Sequence, residues 1–207
     1  MGRQARVERK TAETDITVEL DLDGVGTSQV RTGIGFFDHM LDALARHSLF
    51  NLKVEATGDL QVDGHHLVED TAICLGRALE GALGAKGGLV RFGWAAVPMD
   101  DAFVLAAVDL SGRPYFGWDV PLTTPQVGQL DTQLVAEFFR TFSWAGHFNL
   151  HVRKLAGSND HHIIEAAFKA VARALSQAVA VDERLGGRVP STKGMLGENL
   201  PDGDGAK

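Results

Sequence analysis

Two stretches of this chain carry side chains suited to gripping a divalent metal ion, and they are nearly the same stretch. His65-His66-Leu67-Val68-Glu69 returns as His161-His162-Ile163-Ile164-Glu165. Each copy opens an apolar run with a matching tail, Leu75-Gly76-Arg77-Ala78-Leu79 in the first and Val171-Ala172-Arg173-Ala174-Leu175 in the second. On an α-helix, residues four apart lie on one face. His65 with Glu69, and His161 with Glu165, can therefore reach one ion together. His66 and His162 stand about 100° further round the helix and point elsewhere. The doubled phrase implies a duplicated half-sized unit in which both halves supply ligands. Imidazole and carboxylate without thiolate suit Mn2+, Fe2+, Co2+ or Zn2+, and many such donors beside a substrate favour six-coordinate Mn2+ over tetrahedral Zn2+.

Other residues join these candidates. His39 sits among apolar neighbours in Phe36-Phe37-Asp38-His39-Met40, where a polar side chain wants a partner. The matching position in the second half is Glu137, also a possible ligand. His47 either lines the same cleft or is a helix C-terminal cation favoured by the macrodipole. His147 and His151 read as structural. Candidates for holding a phosphate are Arg91, Arg113, Lys169 and Ser191-Thr192-Lys193-Gly194. Taken singly, each reads as a solvated surface charge. Gly84 to Gly88 lacks the full phosphate-loop pattern, and Gly24-Val25-Gly26 and Gly33-Ile34-Gly35 lack the third glycine of a dinucleotide site. Neither a zincin nor a serine-hydrolase motif is present.

The elements that must position these groups follow from periodicity. Residues 15–22 alternate as a strand, and 27–31 are expected to return as its hairpin partner. A helix is expected over 36–47, strands over 52–56 and 59–62, and a helix over 65–83 that stops at the glycines of 84–88. The second half repeats the order: strand 102–110, partner strand 115–120, helix 130–144, strand 148–154, helix 161–181. Glu13 precedes Gly24 by the same interval as Asp101 precedes Gly112, so the duplication extends beyond the metal phrases. Strands plus two helices in each half give an α+β layer with both helices on one face of a small sheet. The repeats divide at about residues 1–93 and 94–190, together one enzyme domain. Residues 191–207 form a tail, and its last ten residues read as disordered.

Composition narrows the partners. A formal net charge of −7 argues against nucleic acid. The single cysteine, Cys74, excludes an internal disulfide, fits a reducing compartment and reads as a small core residue. The basic N-terminal stretch lacks the apolar segment of a signal peptide, and no run approaches the roughly 18 apolar residues of a membrane span. A cytoplasmic protein without membrane contact is expected.

Taken jointly, Gly35-Phe-Phe-Asp-His-Met-Leu-Asp42, Asp63-Gly-His-His-Leu-Val-Glu-Asp70, Asp109-Leu-Ser-Gly-Arg-Pro-Tyr115, the stretch Ala156 to Lys169 and Ser191-Thr-Lys-Gly194 resemble the imidazoleglycerol-phosphate dehydratase family. The resemblance runs from Arg9 to about Leu196. It implies removal of water from D-erythro-imidazole-glycerol phosphate to give imidazole-acetol phosphate, a late step of histidine biosynthesis. It implies two Mn2+ per active site, acting through a metal-bound imidazolate and a diazafulvene-type intermediate. It implies a tandem duplication of a ribosomal protein S5 domain 2-like unit, each half a four-stranded sheet with two helices. Trimers would assemble into a 24-subunit shell with active sites between subunits.

By matching positions, the metal ligands are His39, His65, His66, Glu69, His161, His162 and Glu165. Where many relatives carry a ligand histidine in Glu-His-Phe-Phe, this chain has Ala136-Glu137-Phe138-Phe139. Either Glu137 takes that place as an oxygen ligand or one site is a ligand short. Glu13 matches the catalytic glutamate, and His47 joins it as the second candidate for proton handling. Glu13, His39, His47, Arg91, Arg113, Lys169, Ser191 and Lys193 are the expected substrate and phosphate contacts. The residues further suggest that each ion takes the His/Glu pair of one helix start and the adjacent histidine of the other repeat's, from the same or another subunit. Outside this family, a non-catalytic metal store and a metal-dependent phosphatase are the competing readings.

Overall fold

A computed structural model describes residues 2–196 of the chain; the expected disorder of the last ten residues lies outside them. The first half runs β1 (Gln4–Lys10), β2 (Thr14–Asp21), β3 (Ser28–Arg31), α1 (Gly35–Ser48), β4 (Asn51–Gly58) and α2 (His65–Leu83). The second runs β5 (Phe92–Met99), β6 (Ala102–Asp109), β7 (Tyr115–Asp119), the short ribbon β8 (Gln126–Val127) and β9 (Leu130–Asp131), α3 (Gln133–Ala145), β10 (Asn149–Ala156) and α4 (Asp160–Ala178). A 3-10 turn follows at Glu183–Leu185. Each half has one four-stranded sheet, ordered β1-β2-β4-β3 and β5-β6-β10-β7. The two orders are the same order, so the repeat seen in the metal phrases is a repeat of the whole α+β unit.

Alternation sets which sheet face is buried. Thr14, Ile16, Val18 and Leu20 of β2 and Leu52, Val54 and Ala56 of β4 point inward, while Asp15, Thr17, Glu19, Lys53 and Glu55 point out. Both helices of a half cover that one face. The helices then pack across the halves, α1 against α4 and α2 against α3, which places them between the two sheets. Phe37 meets Phe138 edge-on at 5.4 Å, and Phe168 stacks on Phe138 and packs at a tilt against Phe139. One continuous core results. Gly76 lets α2 and α3 approach: a β-carbon there would lie 2.7 Å from the Phe142 carbonyl oxygen.

Several expected elements are corrected. Residues 28–31 are not the hairpin partner of β2; β3 pairs with β4, in parallel. A parallel pair needs a crossover, and α1 is that crossover. The Asn51 side chain fixes the change of direction by accepting from Val25 N (2.9 Å) and Thr27 Oγ1 (2.7 Å). The second half does likewise: β7 runs parallel to β10 and not beside β6, with α3 crossing over. Residues 59–62 form a turn, closed by Val62 N donating to Asp59 O at 2.8 Å. The helix expected from 130 begins at Gln133, because residues 130–131 pair with 126–127 across Gly128, whose φ is +59°. Strands β1 and β5 were not anticipated: β1 carries charge on its outer side, and Phe92 to Met99 shows no clean alternation.

Candidate active site

Both metal phrases start a helix, and both starts are held by a side chain of the preceding loop. Asp63 Oδ1 accepts from His65 N at 2.7 Å. Asn159 Oδ1 accepts from His161 N at 3.0 Å and His162 N at 3.4 Å. Such caps satisfy amides that have no partner within the helix. Asp160, buried at the first helical position, adds a clamp: its Oδ2 accepts from the backbone and hydroxyl of Thr123 and of Thr124.

The cross-packing of helices then assembles two matched groups. His161 and Glu165 of α4 meet His39 of α1, and His65 and Glu69 of α2 meet Glu137 of α3. Within each group one ligand atom per residue lies within 4.8 Å of the others. The Glu165 Oε2 atom is 3.4 Å from His161 Nε2 and 3.5 Å from His39 Nε2. His65 Nε2 is 3.9 Å from Glu69 Oε2. His39 and Glu137 thus occupy corresponding positions on the two short helices, as the repeat suggests, and each completes the pair carried by the other half's long helix. Glu137 is held by Arg140 and accepts from Thr141 Oγ1 at 3.1 Å. The Arg140 bond keeps its carboxyl below the usual range and so ionised. Burial pushes Glu165 up, but Lys169, 2.7 Å away, and His39 outweigh that and hold it below the usual range.

His66 and His162 point away from these groups. His66 Nδ1 lies 3.0 Å from Asp59, whose carboxylate raises the imidazole above its ordinary pKa. His162 Nδ1 lies 2.7 Å from Asp101 Oδ1. The other Asp101 oxygen accepts from Ser158 N (2.7 Å), Asn159 N (3.1 Å) and Ser158 Oγ (3.3 Å). These bonds, the Ser158 amide first, hold Asp101 well below the usual carboxylate range. An ionised carboxylate on Nδ1 makes that nitrogen the donor and leaves Nε2 as the ligating nitrogen, as in carboxylate–histidine–metal sites; Nε2 of His162 lies 3.5 Å from Asp100 Oδ2. Asp59 and Asp101 were missed from sequence. Asp101 had a signal, since it occupies the repeat position of Glu13. Asp59 had none, because Gly157 stands at its counterpart.

Glu13 lies in the turn between β1 and β2, its carboxylate half exposed and 3.8 Å from His66 Nδ1. His47 sits two turns beyond His39. Burial and the nearby cations Lys169 and Arg173 push it below its ordinary pKa. It is not among the side chains of the His39 group.

The phosphate candidates divide. Lys169 stands beside Glu165, with Met99 Sδ at 3.3 Å. Arg91, Ser191 and Lys193 gather at the far end of α4. Arg91 holds Asp109 with Nε at 2.7 Å and donates to Pro190 O at 2.8 Å, which brings the Ser191-Thr192-Lys193 turn alongside. Asp109 ends β6, and Arg113 follows in the next turn. Arg91 N donates to Ala178 O, at the last residue of α4, whereas His161 is near its first. At 1.5 Å per residue those ends are roughly 25 Å apart. Within one chain, this basic set and the His161 group do not meet. Arg91 has φ +75°, a left-handed conformation kept in place by these bonds and by its stacking on Phe92.

A duplicated α+β fold that carries two matched His/carboxylate groups compatible with metal binding, beside a separate basic cluster, is the architecture of an enzyme acting on a small molecule. Comparison with known proteins gives the particular family. The model of the imidazoleglycerol-phosphate dehydratase family matches residues 32–175. The imidazoleglycerol-phosphate dehydratase of Dinoroseobacter shibae is 57% identical over 194 residues, covering 94% of this chain and 100% of the relative. That of Gluconacetobacter diazotrophicus is 55% identical, covering 94% and 98%. The crystal structure of imidazoleglycerol-phosphate dehydratase from Staphylococcus aureus superposes with a TM-score of 0.79 at 36% identity, over 86% of this chain and 99% of that one. That of the Pyrococcus furiosus protein in complex with (S)-C348 gives 0.79 at 39%, over 92% and 100%. The chain belongs to the imidazoleglycerol-phosphate dehydratase family and is a hydro-lyase.

Proposed function

We propose that this chain removes water from D-erythro-imidazole-glycerol phosphate to give imidazole-acetol phosphate in histidine biosynthesis, with two divalent ions, Mn2+ by preference, at each site. The observation that carries this is the pair of matched groups, His39–His161–Glu165 and His65–Glu69–Glu137. Their donors fit such ions: nitrogen and oxygen, no thiolate, and ionised carboxylates at Glu137 and Glu165. When bound, the ions supply the Lewis acidity that favours the imidazolate form of the substrate ring and its passage to a diazafulvene-type intermediate. This chain's own residues do the rest. Asp59 and Asp101 orient His66 and His162, which offer Nε2 as the further ligands. Glu13 moves the proton at the carbon that is deprotonated. His47, a weak base beside Lys169, contacts substrate. Arg91, Arg113, Lys169, Ser191 and Lys193 bind the phosphate.

His66 and His162 face away from the in-chain groups, and the Arg91 cluster is roughly a helix length from His161. Both facts favour active sites completed by a neighbouring subunit. The outer face of the second sheet supports association. Across β5, β6, β10 and β7 one row reads Trp94, Ala107, His151, Gly117, where the first sheet's matching row reads Arg6, Glu19, Lys53, Gln29. Trp94 is 65% exposed and Phe92 56%, and a large exposed apolar patch marks an interaction surface. We assign a homo-oligomer, with trimers building a 24-subunit shell in the cytoplasm. The test is to supply Mn2+-loaded protein with imidazole-glycerol phosphate. The reading expects a ketone product without inorganic phosphate, and Glu13→Gln with full metal content and turnover nearly abolished. Release of phosphate, or a Glu13→Gln protein at the parent rate, would refute it.

A further inference from the structure

The two halves hold their matching acidic residues in different ways. The register of the β-hairpins equates Arg9 with Val97, Glu13 with Asp101 and Thr14 with Ala102, and the helices equate Asp70 with Ala166. In the second half Asp101 is anchored through its own carboxylate, by Ser158, Asn159 and His162. The residues around it, Val97, Ala102 and Ala166, are apolar, and the two alanines are fully buried. In the first half the anchor is made from the backbone instead.

Glu13 N donates to Thr11 Oγ1 at 3.1 Å, as does Thr14 N at 3.0 Å. Thr11 Oγ1 and Thr14 Oγ1 are 3.1 Å apart. Thr14 Oγ1 is 2.5 Å from Asp70 Oδ2, and Arg9 Nε donates to Asp70 Oδ1 at 2.8 Å. An ionised carboxylate only accepts, so Thr14 donates to Asp70, and Thr11 in turn donates to Thr14. The result is a directed chain from the Glu13 amide through two hydroxyls to a buried carboxylate on α2. The Glu13 carboxylate itself accepts no hydrogen bond among the described residues. The second half folds the same hairpin with apolar residues at these places, so the polar chain is not what makes the hairpin fold. Its effect is to fix the Glu13 backbone to the helix that carries His65, His66 and Glu69 while leaving the carboxylate free.

We infer that Asp70, acting through Thr14 and Thr11, is a positioning residue for Glu13, an inference that rests on the acid/base reading of Glu13. The experiment compares Thr14→Val, Thr14→Ser, Asp70→Asn and Glu13→Gln in the full-length, Mn2+-loaded protein, reading kcat, KM and bound manganese per subunit. Displacement of a reacting group by about an ångström costs up to about 100-fold in rate. Thr14→Val, close to isosteric, and Asp70→Asn are therefore expected to lose about tenfold or more in kcat, with KM and manganese content unchanged. Thr14→Ser, which keeps the hydroxyl, is expected to recover most of the rate. The inference is overturned if Thr14→Val or Asp70→Asn turns over at the parent rate, if the loss tracks lost manganese, or if Thr14→Ser is as slow as Thr14→Val. A Glu13→Gln protein that keeps its rate would sink the acid/base reading itself, whatever the other variants do. Should one of the two buried variants fail to fold, the other still decides.

Discussion

At the residue scale, duplication has supplied two copies of each position, and chemistry separates them. Glu13 and Asp101 occupy corresponding turns, but Asp101 is saturated by four donors while the Glu13 carboxylate accepts no hydrogen bond among the described residues and lies 3.8 Å from His66 Nδ1. Asp101 therefore serves His162. In Asp101→Asn the amide oxygen stays on the Ser158 and Asn159 N–H donors, so the amide nitrogen faces His162 Nδ1 as a donor and breaks the enforced tautomer, and metal affinity at the site that His162 serves should fall about 10–100-fold, measured by competition with a chelator. Titration supplies a second check. The folded pKa of Asp101 is lowered from 3.8, so its contribution to stability is complete above that value and is lost as pH falls through the folded one. In metal-free protein, the stability gap between parent and Asp101→Asn in urea should be full near neutrality and shrink in acid below 3.8. A gap that does not change with pH would contradict this.

At the element scale, much was legible. Apolar residues at helical spacing and a terminating glycine predict helix α2 from His65 to Leu83, and the structure has it there. Strand pairing was not legible: alternation shows that Ser28–Arg31 and Tyr115–Asp119 are strands but not which neighbour they take. That choice is made by the crossover helices and by Asn51 and Asn149, whose side chains pin the turns. The His/Glu pairs at four-residue spacing are visible in the sequence. The partnership of each pair with the other half's short helix is not, since it depends on α1 packing on α4 and α2 on α3. Gly76 tests that packing. Its counterpart is Ala172, but at Gly76 an added methyl meets the backbone of Phe142 and Gly146 at 2.7 and 2.8 Å, and backbone cannot move aside cheaply. Gly76→Ala should cost about 1–3 kcal/mol, seen as a lower Tm, and should weaken the metal site that includes Glu137. An unchanged Tm would mean that α3 shifts freely.

At the scale of the whole molecule, one sheet faces out with charge and the other with aromatic side chains. The charged row Arg6–Glu19–Lys53 keeps the first sheet in water. Its apolar counterpart on the second sheet, with Tyr115 stacked on His151 at 5.1 Å, is suited to a copy of the same chain. Trp94→Glu should yield a smaller assembly by light scattering, and activity should fall with it if, as proposed, the Arg91 cluster of one chain completes the site carried by the His/carboxylate groups of another. A variant that stays fully assembled would place the contact elsewhere. The central claim, that paired His/carboxylate groups hold ions the dehydration cannot do without, is tested most directly by stripping the assembled protein with a chelator and measuring dehydration before and after Mn2+ is restored. The expected result is loss of turnover on stripping and its recovery with manganese; stripped protein that dehydrates imidazole-glycerol phosphate at the original rate would contradict it.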